Sequence, residues 1–162
     1  MHDYVRRSAR VVLLDAEDRI LLVRSGFGRS VEGVASAWFV PGGRVEGGES
    51  LVQAAVREVA EGTGLVLAVG SLLPLAFSHG SGRVGETSGW MRDDFFWCPA
   101  PDTVLDASGM EAAERAVFER YRWWTTEELA VTEDPVFPRG LAGVVADQLA
   151  GAVTDPPREL PW

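Results

Sequence analysis

Apolar residues in this chain come in short runs, separated by stretches rich in glycine, proline and charge. That punctuation predicts brief strands with a few helices among them. Arg10–Leu14 and Ile20–Arg24 flank the polar Asp15–Arg19, which reads as two strands joined by a turn. Ser25–Ser36 carries glycines and little hydrophobic pattern, so a loop is expected there. Trp38-Phe39-Val40 is a short strand ended by Pro41, which has no amide to donate. The pattern then switches to helical spacing. Leu51, Val52, Ala55, Val56 and Val59 share one face, Ser50 with Gln53 forms a capping box, and Gly62 and Gly64 stop the helix. Leu65–Phe77 reads as a strand bulged at Gly70, Ser78–Gly89 as a flexible hairpin end, and Trp90–Cys98 as the pairing strand.

The remainder is read more coarsely. Pro99–Gly109 is a surface excursion, Met110–Phe118 a short helix and Tyr121–Trp124 a strand. Thr125 or Thr126 caps a helix beginning at Glu127. Pro138–Ala150 is a final helix with Leu141, Val144, Val145 and Leu149 on one stripe, and Thr154–Trp162 is an extended, proline-bearing tail. Neither an internal repeat nor a second domain is evident, so one domain is expected, with its core over about 7–150 and a tail over 151–162.

Composition narrows the function classes. The chain has 162 residues, 46% hydrophobic and 24% charged, as in an ordinary globular domain. No apolar run has the length of a membrane span, and Val11–Leu14 is too short for a signal peptide, so the cytoplasm is the expected compartment. Cys98 is alone, which excludes an internal disulfide and a cysteine metal cluster. Lysine is absent, and all 15 basic residues are arginine. Any phosphate must therefore be met by arginine, backbone amides or a metal ion, and a Schiff-base or P-loop lysine is excluded. A net charge of −9 argues against a nucleic-acid polymer as partner but not against a small polyphosphate whose charge a cation screens.

The chemistry concentrates between Pro41 and Leu65. A glycine-rich turn feeds a helix on which Glu58 and Glu61, three residues apart, project to nearly the same side. Two carboxylates beside an open backbone turn can hold a hard divalent cation. In this stretch the sequence resembles the Nudix hydrolase family, whose signature is matched in register by Gly43, Glu49, Arg57, Glu58, Val59, Glu61, Gly64 and Leu65. One position departs: Gly62 stands where the signature has the second glutamate of a pair.

The resemblance implies an α/β/α sandwich of the α+β class, a mixed sheet with helices on either side. It further implies hydrolysis of the pyrophosphate in a nucleoside diphosphate linked to another group, with Mg²⁺ or Mn²⁺ as cofactor. On the same basis Glu58 and Glu61 contact metal, Glu58 positions or deprotonates the attacking water, and the Gly42 carbonyl is a further ligand. Gly43, Glu49 and Arg57 are supporting residues. An additional acid is expected from a later segment, with Glu111, Glu114 and Glu119 in view and Glu114 chosen. The resemblance also leaves a homodimer open. Gly62 removes one oxygen and one charge from the cage, so a module that binds nucleotides without cutting them is the alternative.

Other residue types carry weaker signals. Trp38, Trp90, Trp97, Trp123 and Trp124 could stack a base, although strands use tryptophan for packing. Arg24, Arg29, Arg44, Arg83 and Arg92 could meet phosphate. Nothing in the sequence orients His79 and Cys98 as a base–thiol pair, and Gly26-Phe27-Gly28 lacks the helix and third glycine of a dinucleotide loop.

Overall fold

The computed structural model describes residues 2–31 and 33–162, and their side chains outside 28–31. The strands are β1 (Arg6–Leu14), β2 (Ile20–Val31), β3 (Val34–Phe39), β4 (Gly42–Arg44), β5 (Leu73–Val84), β6 (Thr87–Pro99), β7 (Phe118–Trp124), β8 (Val136–Phe137) and β9 (Arg158–Glu159). The α-helices are α1 (Leu51–Thr63), α2 (Ala112–Val117), α3 (Thr126–Val131) and α4 (Leu141–Leu149).

Alternation along the central strands creates two cores. Val11, Leu13 and Leu21 point to one side, against Ala54, Ala55 and Val59 of α1. Val12, Leu14, Ile20 and Leu22 point to the other, against Leu129 of α3 and Leu141, Val144 and Val145 of α4. Buried Trp38 and Trp124 meet edge to face in this second core, their ring centroids 5.2 Å apart. The result is the expected α/β/α sandwich around a mixed sheet.

The sheet runs β8-β3-β2-β1-β6-β5-β9. β1 and β6 pair in parallel over their length, while β2–β3 and β5–β6 are antiparallel. β1 and β2 meet at Leu14 and Ile20 and then diverge. β4 pairs beside β1 and β7 beside β2, so each lines one bank of the gap. This splay opens a cleft between β4 and the C-terminal half of α1.

Several expected boundaries are overturned. Ser25–Ser36 is not a loop. β2 continues to Val31, and β3 begins at Val34 after Gly33 at φ 81°. Ser78–Gly89 is likewise paired strand, His79 opposite Arg92 and Gly82 opposite Gly89, closing in a turn with Gly85 at φ 60°. Backbone pairing needs no apolar side chains, so hydropathy is silent in both places. Leu65–Phe77 is not one strand. Leu65 and Leu67 pack into the α1 core, Val69–Ser71 forms a short 3-10 turn, and the irregularity in β5 falls between Pro74 and Ala76, not at Gly70. Gly62 does not stop α1, which runs through it to Thr63 and ends on Gly64 at φ 76°. The tail is not merely extended, since β9 adds to the edge of β5 and Leu160 is buried. Among the described residues no helix is long and apolar enough to cross a membrane.

Candidate active site

The two glycines before α1 do different jobs. Gly42, at φ 147°, lies so close to β1 that a Cβ would come within 2.5 Å of the Arg10 Cα. Gly43 faces the helix, where a Cβ would sit 2.5 Å from Cδ of Glu58. The Glu58 carboxylate thus fills the space a side chain at Gly43 would need. Ser50 accepts from the Gln53 amide and the Gln53 side chain returns to the Ser50 amide, fixing where α1 begins.

Arg57 is the hub of the charges. Its Nε and Nη2 donate to the two Glu49 oxygens at 2.8 and 2.9 Å, and its Nη2 also reaches the Arg44 carbonyl at 3.0 Å. Its Nη1 donates to Glu58 Oε1 at 3.0 Å and Glu61 Oε2 at 3.4 Å. Turn and helix are therefore one unit. The bidentate Arg57 contact holds the Glu49 carboxyl down at about 2. Glu58 goes the other way. It is buried, and the loss of water raises its pKa despite Arg57. Burial also raises Glu114, reinforced by Glu111 and Glu61. Tyr121 donates to the carbonyl of Gly62, and burial pushes its phenol up to about 12.

A cavity of about 650 Å³ lies over this unit, lined by Gly42, Gly43, Glu58, Gly62, Glu111 and Glu114 together with Arg6 and Arg10. Glu58 and Glu114, named from sequence, are thus brought to one cleft. Glu61 does not line it and rests on Arg57, and Glu119 is tied to Arg24 at 2.8 Å. Among the arginines read from sequence, Arg44 lines this cleft and Arg83 the adjoining cavities, while Arg24 and Arg92 are spent on carboxylates. The side chain of Arg29 lies outside the described residues. Trp38 and Trp124 are core residues, and Cys98 is buried with its thiol pushed up. His79 is held by Tyr4 and Glu159, away from that thiol.

The NUDIX domain family model matches residues 5–143. The chain belongs to the Nudix family. A Caenorhabditis elegans protein named as a nudix hydrolase is 35% identical over 98 residues, 59% of this chain. The chain spans only 24% of that relative's length. Among solved structures, the MutT protein of Methanosarcina mazei superposes with a TM-score of 0.63 at 18% identity, over 95% of this chain and 99% of that one. The MutT NUDIX hydrolase of Burkholderia pseudomallei gives 0.60 at 18% identity, over 85% and 94%. The NUDIX domain of Shewanella oneidensis NrtR, crystallised with ADP ribose, gives 0.65 at 18% identity, over 92% and 90%. At this identity the structures speak for the Nudix fold.

Nudix hydrolases generally use divalent metal ions, and the cleft can be tested for one. Among the described residues no three Asp, Glu, His or Cys side chains form a closed cage. The donors nonetheless suit a hard cation. Glu58 and Glu114 are carboxylates driven toward protonation first by burial and then by neighbouring carboxylates, Glu114 and Glu61 acting on Glu58 and Glu111 and Glu61 on Glu114, which a cation would relieve. Two further cleft residues escape sequence reading. Arg6 and Arg10 lie on β1 two pleats apart, on the face that continues Val12 and Leu14. Only the partner strands reveal which face of β1 is open there.

Proposed function

We propose that this protein is a pyrophosphohydrolase that uses Mg²⁺ or Mn²⁺ to split a nucleoside diphosphate linked to another group. The observation that carries this reading is the buried Glu58 carboxylate in the cleft, pressed against side-chain-free Gly43 and clamped by Arg57. Glu58 and Glu114 would hold the cation with the Gly42 carbonyl, and Glu61 would join through water. The bound ion would neutralise phosphate charge and make its water more acidic. Glu58 takes the proton from the attacking water, and its raised pKa brings it nearer the range where a carboxylate works as a base. Arg57 occupies Glu58 Oε1 and so fixes the carboxylate's orientation. Arg6 and Arg10 line the cleft, Arg10 oriented by the Val40 carbonyl at 3.0 Å and by Asp93 at 3.7 Å, and both would meet the negative charge that builds on the phosphates. The water oxygen bonds to one phosphorus, the bridging P–O bond breaks, and two phosphorylated products leave. We propose the cytoplasm as the compartment, because such substrates are soluble metabolites.

Gly62 favours a second reading, in which the cleft binds a nucleotide without cutting it. The signature carboxylate is missing there, and the NrtR domain shows that the fold can carry ADP ribose. The deciding experiment is a turnover screen over nucleoside diphosphate derivatives with Mg²⁺ and with Mn²⁺, run on wild type and Glu58→Gln. Hydrolysis that depends on metal and on Glu58 supports the enzyme. Nucleotide binding with no turnover of any compound supports the module.

A further inference from the structure

We infer that Trp162, carried back beside the cleft by the segment after α4, is a specificity-determining residue that packs on a planar aromatic group attached to the substrate's diphosphate. The inference rests on the pyrophosphohydrolase reading of the same site and adds a residue and a ligand class to it. Three observations carry it. The segment is anchored rather than trailing. β9 pairs with Ala76 and Phe77 of β5, Leu160 enters the core, and Arg158 holds Asp147 of α4 at 2.7 Å.

The indole is also seated on a prepared surface. A Cβ on Gly80 would overlap the Trp162 ring, and one on Gly82 would come within 3.5 Å of it. Trp162 Nε1 donates to the Ser81 carbonyl at 3.2 Å. These contacts cover one face of the ring, yet the residue stays 44% exposed. Glycines at two successive inward positions of β5 let an aromatic ring lie flat on the strand, as no larger residue would.

The exposed side belongs to a second cavity of about 650 Å³, which shares Arg10 and Phe39 with the carboxylate cleft. Its apolar walls are Phe27, Phe39, Phe95 and Phe137 as well as Trp162. Phe39 and Phe137 lie nearly parallel, 5.7 Å between centroids. The walls come from opposite ends of the strand order, so the curl of the sheet brings them together over β1. From one end to the other, the groove runs carboxylates, then Arg6 and Arg10 with Asp93 at 3.7 Å from the Arg10 guanidinium, then aromatic rings. A ligand matching that order has a metal-bound phosphate, a second phosphate at the arginines, and a flat π-surface beyond, as in a nucleoside diphosphate.

The test is binding of ADP and of inorganic pyrophosphate, each with Mg²⁺, to wild type, Trp162→Ala, Trp162→Phe and Gly80→Ala. The last variant displaces the indole without altering it. Trp162→Ala and Gly80→Ala should each weaken ADP by roughly tenfold, the scale of one lost base–aromatic contact. Pyrophosphate binding should not change, and Trp162→Phe should recover most of the ADP affinity. Pyrophosphate binding also reports that a variant is folded at the site. Equal ADP affinity in wild type, Trp162→Ala and Gly80→Ala overturns the inference while leaving the hydrolase reading intact. Equal losses for ADP and pyrophosphate overturn it too, because the tail would then be only structural. A wild type that neither binds nor hydrolyses any nucleoside diphosphate overturns both.

Discussion

At the scale of residues, the site is a balance between one arginine and several carboxylates. Arg57 serves Glu49, Glu58 and Glu61 at once, and burial separates their chemistry. Glu58→Gln keeps the shape and removes the proposed base. Its turnover should fall by about 10²- to 10⁴-fold with an unchanged circular dichroism spectrum. An active Glu58→Gln protein would move the base elsewhere. Gly62 offers the converse experiment. Nothing lies within 4 Å of a Cβ placed there, so Gly62→Glu should fit and should raise Mg²⁺-dependent turnover and Mg²⁺ affinity. Unchanged values for both would show that this position does not reach the ion. Glu49 gives a pH prediction. Its folded pKa of about 2 lies below the ordinary 4.5, so its stabilising contribution is present above pH 4.5 and is lost as pH falls through 2. The melting temperature of Glu49→Gln should therefore lie below wild type at neutral pH, and the two should converge between pH 4.5 and 2. A gap that persists at pH 2 would assign the effect to packing. Glu58 has the opposite sign. Its raised pKa means that folding favours the protonated form, so its ionisation costs stability as pH rises.

At the scale of elements, α1 is the part most legible from sequence. Its capping box, apolar stripe and terminal glycine act within a few residues of one another, so local chemistry suffices to place it. The end of α1 separates two glycines that look alike in sequence. Gly62 takes ordinary helical backbone, whereas Gly64 sits at φ 76° and a Cβ there would be 3.0 Å from Asp106 Cβ. Gly64→Ala should cost about 1–2 kcal/mol in chemical denaturation, through left-handed strain added to that contact. A variant as stable as wild type would mean the cap can rearrange. The hairpins were illegible for the complementary reason. Ser78–Gly89 pairs through backbone groups whose partners lie across a turn, and its glycines make room for Trp162. Composition alone cannot tell such a strand from a loop.

At the scale of the molecule, the sheet does two jobs with one alternation. One face packs on α1 and presents Glu58, and the other packs on α3 and α4 and then opens over Arg6 and Arg10. Trp38 stands in the second core, fully buried against Trp124, with its Nε1 donating to Asp134 at 3.1 Å. Trp38→Ala should lower unfolding stability by about 3–5 kcal/mol in a urea titration, and a loss under 1 kcal/mol would mean the core refills. The amino-acid sequence by itself determined the glycine turn and the acidic helix, because each rests on spacing within a single turn–helix unit, and the family signature marked Glu49 and Arg57 as supporting residues. Tertiary structure alone decided that β1 and β2 pair only at Leu14 and Ile20, that Glu111 and Glu114 but not Glu119 line the cleft with Glu58, and that Arg10 and Trp162 border one groove. Those outcomes depend on strand pairing and sheet curl between residues far apart in the chain, where no local propensity carries the information.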